Sequence, residues 1–139
     1  MFREVPPITP EEVSRVLARS APSSAPGPDS ILYSVWKTVH HELPSLLPAL
    51  LSPLAERGYQ PLALKSADGV ILDKPGKAIY DTQASYQIIV LLETLSKVLE
   101  RLIANRVSVQ ARELGLLHSN QYGSLPRVSS FHAAAALTH

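Results

Sequence analysis

The sequence predicts an α+β fold, mostly helical, with one two-stranded β-hairpin. Apolar residues recur at spacings of three and four along several stretches, most regularly from Leu92 to Ile103. Two short stretches, 66–73 and 86–90, carry the β-branched and aromatic residues that suit strands. Between them sits Lys74-Pro75-Gly76-Lys77, a sequence that makes a tight turn and sends a second strand back beside the first. A chain of 139 residues holds one domain at most, or part of one. Its 45% hydrophobic and 18% charged content is enough for a packed core and argues against disorder throughout.

The elements follow in order. Thr9-Pro10-Glu11-Glu12 is a helix start: Thr9 caps, Pro10 suits the first helical position, and Glu12 completes a capping box. Val13, Val16 and Leu17 form its apolar stripe, and the helix is expected to end near Ser20. Residues 21–28 are a loop of small residues and prolines. A second helix is expected over residues 31–42, capped by Asp29 or Ser30, with Ile31, Val35 and Val39 on one face and Leu32 and Trp36 beside it. A third apolar segment spans Pro44 to Gly58, where Leu46, Leu47, Leu50, Leu51 and Leu54 repeat at helical spacing. Pro48 and Pro53 must start turns there or kink it, and Gly58 is a natural stop.

After the hairpin, Leu92, Leu95, Leu99, Leu102 and Ile103 mark the strongest helix, expected over residues 93–112, with Leu91 and Val98 on its flank. Glu93 and Lys97 stand four apart in the favourable order for an ion pair, and Gly115 ends the helix. A loop over residues 118–128 precedes a last helix, expected to begin at Ser129 or Ser130 and to run through Ala133 to Leu137. That helix meets no glycine, proline or cap before His139.

Composition narrows the function classes. The net charge of +1 makes no case for nucleic acid by itself. Residues 1–64 hold 5 Lys/Arg against 6 Asp/Glu, and residues 65–139 hold 8 against 6. The helix after the hairpin carries Lys97, Arg101, Arg106 and Arg112 against Glu100, a pattern that fits either a solvated face or a nearby phosphate backbone. The absence of cysteine excludes disulfides and thiolate metal sites. No apolar run of about 18 residues is present, so no membrane span is expected. The start of the chain, with Glu4 and two prolines, lacks the basic-then-apolar pattern of a secretory signal.

Several motifs fail on inspection. Gly76-Lys77 is not a phosphate-binding P-loop, because that motif requires a glycine where Ile71 stands and Ser or Thr where Ala78 stands. His40-His41-Glu42 is not a zinc-protease helix, because Ser45 occupies the position of the second histidine. All five histidines read as structural or surface residues. Asp68, Asp73 and Asp81 flank the hairpin without the spacing of a ligand cluster, and the chain holds neither Asp-Asp nor Asp-x-Asp. No catalytic residue and no metal ligand is assigned.

Four stretches in order carry a resemblance. They are Ser24-Ala25-Pro26-Gly27-Pro28-Asp29-Ser30, the Lys74–Lys77 hairpin with Ser85-Tyr86-Gln87-Ile88 after it, Leu95-Ser96-Lys97-Val98-Leu99-Glu100-Arg101, and Asn120-Gln121-Tyr122-Gly123-Ser124. Together, from about Thr9 to His139, they resemble the N-terminal part of the polymerase domain of non-LTR (LINE-type) retrotransposon reverse transcriptases, most of all those of fungal elements.

The resemblance implies a fragment of an RNA-directed DNA polymerase, the fingers side of a right-hand fold. Residues 1–64 would be a helical N-terminal extension. Residues 65–139 would be a fingers segment that stops before the palm and its catalytic aspartates. Lys74, Lys77, Gln87, Gln121 and Gly123 would contact nucleotide or template. Lysine ammonium groups are compact charges suited to phosphate oxygens, although a Lys-Pro-Gly-Lys tip serves equally well as an ordinary turn. The family places Arg at the position of Gln87, where a guanidinium would offer a bidentate fork to a triphosphate. Gln87 supplies no charge.

For the whole enzyme the resemblance further implies Mg²⁺, an RNA template, a DNA primer and dNTPs, with the missing palm as intramolecular partner and an intracellular, nuclear setting. The fragment alone is expected not to polymerise and to carry no cofactor. The rival reading, from a different class, is a non-catalytic helical protein-interaction module or relic.

Overall fold

The computed structural model describes residues 5–76, 79–118, 121–123, 128–129, 131 and 134–135. The chain divides into two compact units, Met1–Leu102 and Ile103–His139. The described elements are helices α1 (Pro10–Ala18), α2 (Tyr33–Glu42) and α3 (Leu46–Arg57), strands β1 (Ala67–Asp73) and β2 (Tyr86–Leu92), and helix α4 (Thr94–Glu113). The mostly helical α+β architecture with one hairpin is thus the one the sequence predicts.

The capping box of α1 forms as the sequence requires. Thr9 Oγ1 accepts from the Glu12 backbone N–H at 3.3 Å, and Glu12 Oε2 accepts from the Thr9 backbone N–H at 2.9 Å. Two otherwise orphaned donors are thereby satisfied. Val13, Val16 and Leu17 are buried, as their spacing predicts.

Helix α2 departs from expectation at its start and on its face. Asp29 does not cap it. Its Oδ1 accepts from the Ile31 N–H at 3.1 Å in a local turn, and Ser30 adopts φ 57. The N-cap is Leu32, which makes no side-chain cap bond, so the helix begins two residues later than predicted. Its inner face is Tyr33, Trp36 and His40, whereas Val35 is 47% exposed. Aromatic rings bury more area than valines, and each of these three also finds a polar partner inside. His40 Nε2 lies 2.8 Å from Ser14 Oγ and 3.2 Å from the Pro10 carbonyl, linking α2 to α1.

Helix α3 runs unbroken through both of its prolines. Pro48 occupies the first turn, where a backbone N–H has no intrahelical partner to lose. Pro53 stands inside the helix. Gly58, at φ 58, ends it, and the Tyr59 N–H returns to the Leu54 carbonyl at 3.1 Å. Leu47 and Leu51 face inward, while Leu46 and Leu50 are about half exposed.

One core joins the helices of the first unit. Ile8, Val13, Val16, Leu17, Tyr33, Leu47, Leu51, Leu95, Val98, Leu99 and Leu102 form it, with Trp36, Leu54, Ala55 and Leu64 packed against it. Each fully buried leucine contributes about 1.5–3 kcal/mol. Helix α4 starts at Thr94, leaving Glu93 just outside, and Ile103 is 41% exposed although it falls within the predicted stripe.

In the second unit α4 ends at Glu113, and Gly115, at φ 62, follows as the expected stop. Most of the last predicted helix and of the loop before it lies outside the described residues, and residues 131 and 134–135 are helical. Among the described residues, no helix is long and apolar enough to cross a membrane.

Candidate nucleic-acid interface

The hairpin pairs antiparallel over seven rungs, from Ala67↔Leu92 to Asp73↔Tyr86. Side chains alternate between the two faces of a strand, and directly paired residues share a face. One face therefore carries Gly69, Ile71, Val90 and Ile88, and the other carries Asp68, Val70, Leu72, Gln87, Ile89 and Leu91. Gln87 is paired with Leu72 and exposed.

The backbone continues the pairing one step beyond the strands, where the Lys74 N–H donates to the Ser85 carbonyl at 2.8 Å. By this register Lys74 falls on the same face as Gln87, two rungs further toward the turn. The structure thus brings together two of the five residues the sequence singled out. Lys74 is half-buried, and its Nζ donates to the Ala84 carbonyl at 3.1 Å. Among the described residues, one of the three ammonium protons is used. Gly76 takes φ 79, the conformation a turn requires after Pro75. Lys77 lies outside the described residues.

The loop from Lys74 to Tyr86 is held by contacts that the sequence did not announce. The Tyr80 hydroxyl donates to the Lys74 carbonyl at 2.9 Å, and the Tyr86 hydroxyl donates to the Tyr80 carbonyl at 2.6 Å. The two rings meet edge to face, with centroids 6.1 Å apart. Ser85, 3% exposed, donates through its hydroxyl to the Ile79 carbonyl at 2.8 Å. The only sequence signal for this network is the pair of tyrosines flanking an otherwise polar loop, and a single sequence does not reveal that they touch.

Gln121 and Gly123 belong to the second unit. The Gln121 amide donates to the Gly123 carbonyl at 3.1 Å, and its backbone N–H donates to the His118 carbonyl at 2.9 Å, which makes a local turn. Among the described residues Gly123 shows neither a positive φ nor a close backbone approach. The close approach occurs at Gly27 instead, where a Cβ would lie 2.5 Å from the Glu93 nitrogen and 2.6 Å from the Leu92 carbonyl carbon.

The basic side chains on α4 are also placed differently from a bare phosphate-facing row. Lys97, expected to pair with Glu93, sends its ammonium to the Ala25 carbonyl at 3.3 Å. Arg101 Nη1 donates to Ser20 Oγ at 3.2 Å. Two of the four cations thus fasten the loop between α1 and α2. Beneath them Tyr33 is 4% exposed; burial pushes its phenol above the ordinary 10.0, against the lowering effects of its Ser20 hydrogen bond and the Arg101 charge. Among the described residues no three His, Cys, Asp or Glu side chains gather as a metal site.

No family model matches the chain. Individual relatives do. Over 117 residues, 84% of this chain, it is 31% identical to the RNA-directed DNA polymerase from mobile element jockey of Drosophila funebris. It is 31% identical over 123 residues to the probable RNA-directed DNA polymerase from transposon X-element of Drosophila melanogaster. Over 106 residues it is 33% identical to the retrovirus-related Pol polyprotein from type-1 retrotransposable element R1 of Bradysia coprophila. These alignments take in 88% and 76% of the chain respectively. The chain spans 13% of the length of the jockey and X-element relatives and 11% of the R1 relative. Sequence likeness of this extent, together with the ordered motifs and the hairpin that carries one of them, establishes that the chain belongs, as one segment, to the RNA-directed DNA polymerases of non-LTR retrotransposons.

Proposed function

We propose that this segment is the fingers side of a reverse transcriptase and contributes template and nucleotide contacts. Residues 1–64 act as its helical N-terminal extension, and residues 65–139 as the fingers segment built on that base. Lys74 and Lys77 neutralise phosphate oxygens, Gln87 offers an amide on the face of Lys74, and the Gln121–Gly123 turn contacts the template. The observation that carries this reading is the register that sets Lys74 and Gln87 on one face of the hairpin. A neutral amide donates hydrogen bonds to phosphate oxygens without contributing charge, so the lysines supply the electrostatic attraction.

The whole enzyme's partners are, on this reading, an RNA template, a DNA primer and dNTPs, and its site of action is the nucleus. Mg²⁺ belongs to that enzyme's chemistry, but the described residues here do not fit it, because no acidic cluster forms. No step through the metal is assigned to this chain.

The test is binding of the purified chain to a primed RNA template, with and without dNTP, across a salt series, with Lys74→Ala and Lys77→Ala alongside. The reading expects affinity that falls with salt, and a log–log slope smaller by about 1 for each phosphate contact removed. A chain that is folded by circular dichroism and binds no primed template defeats it and favours a protein-interaction module.

A further inference from the structure

None of the side chains in β1 or β2 belongs to the core of the first unit. The buried core therefore does not itself fix the direction in which the strand pair points. That direction is set where the strands meet the helical body, and two groups of contacts converge there.

At the entry to β1, Gln60 Nε2 donates to the Leu64 carbonyl at 2.8 Å and to Ser96 Oγ at 2.7 Å. One amide thus joins the lead-in of β1 to the first turn of α4, and Ser96 is fully buried. At the exit of β2, Gly27 lies against the Leu92–Glu93 peptide with no room for a Cβ. Just beyond, the Thr94 hydroxyl accepts from Trp36 Nε1 at 2.8 Å and donates to the Ile31 carbonyl at 2.8 Å. Thr94 has no exposed surface. Buried hydroxyl and amide groups joined by hydrogen bonds fix geometry more tightly than apolar contact does.

We infer that Gln60, Gly27 and Thr94 are positioning residues that aim the hairpin, and with it the face bearing Lys74 and Gln87. The Pro26–Gly27–Pro28–Asp29 loop then serves as a clamp on the β2–α4 corner. What the aim serves rests on the fingers reading above; the aim itself does not.

The chain contains no cysteine, so spin labels can be placed at will. A label at Asp81→Cys in the exposed hairpin loop and one at Glu11→Cys on exposed α1 report the hairpin's position against the helices. Gln60→Leu and Thr94→Val are expected to broaden or shift the distance distribution measured by pulsed electron resonance. Thr94→Ser, which keeps the hydroxyl, is expected to restore it. Circular dichroism confirms that each variant is folded, and Gln60→Leu keeps the test open if Thr94→Val is not.

Distances equal to the parent's in folded Gln60→Leu and Thr94→Val overturn the inference. Affinity of the displaced variants for primed RNA is expected to fall below the parent's, and unaltered affinity breaks the link between aim and binding. Failure of the parent chain to bind defeats the fingers reading alone, because the distances judge the clamp without reference to any ligand.

Discussion

Trp36 Nε1 donates a 2.8 Å hydrogen bond to Thr94 Oγ1, tying the inner face of α2 to the first residue of α4 across 58 positions of sequence. Thr94 completes the relay by donating to the Ile31 carbonyl. Replacing Thr94 with valine keeps the shape and takes their partner from the half-buried Trp36 indole N–H and the Ile31 carbonyl. The expected loss is about 1–3 kcal/mol of stability. Denaturant unfolding measures it, and the fluorescence of Trp36, the sole tryptophan, reports the changed environment. Thr94→Ser is expected to lose appreciably less.

Gly27→Ala places a methyl group within 2.5–2.8 Å of three backbone atoms of Leu92 and Glu93. Backbone gives way less readily than a side-chain tip, so the expected cost is about 1–3 kcal/mol or more. The same substitution at Gly69, which has open space around it, is expected to be far milder. Comparing the two melting temperatures checks whether proximity or glycine content is responsible.

Helical periodicity and capping chemistry made much of this fold legible in advance. Thr9-Pro10-Glu11-Glu12 predicted the capping box, and Gly58 and Gly115 predicted helix ends, because those effects act within a few residues. The face of α2 was not legible. Val35 and Val39 have the better apolar spacing, but Tyr33, Trp36 and His40 find polar partners on α1, α4 and the loop before α2, and those partners are distant in sequence. The glycines show the same limit. A close approach such as that at Gly27 depends on a segment 65 residues away, so the sequence shows only a loop over residues 21–28. In the candidate site, the basic turn and the two strands were legible, whereas the tyrosine network that shapes the loop was not.

Thr9→Ala removes the acceptor of the Glu12 N–H and half of the capping box of α1. The expected cost is about 1 kcal/mol. Urea unfolding checks it, with an unchanged m-value if the native and unfolded states keep their exposed areas.

Tyr33 gives the chain an alkaline weakness. Its buried phenol ionises above the ordinary 10.0, so the unfolded chain loses this proton first as pH rises. Stability contributed by the neutral phenol is fully present below pH 10 and is lost as pH climbs from there toward the folded-state value. Tyr33→Phe is expected to flatten this decline. Unfolding curves from pH 8 to 11 for parent and variant decide it.

Gln87→Arg puts a guanidinium on the face shared with Lys74 at an exposed strand position. Its effect on stability is expected to stay within about 0.5 kcal/mol. Its effect on binding is expected to be larger, with tighter dNTP-dependent association with primed RNA and a steeper salt dependence. Titration at two salt concentrations tests it.

The strict alternation of the strand pair bears on how this chain tolerates changes in length. A residue inserted within β2 after position 87 turns every side chain of the strand upstream of it to the opposite face relative to those downstream, separating Gln87 from Lys74. A residue inserted between positions 79 and 84 is absorbed where no rung exists. Deletions obey the same arithmetic. Drift in the length of this region is therefore confined to the loop, and the strands can change only by substitution or by paired steps that restore the original face.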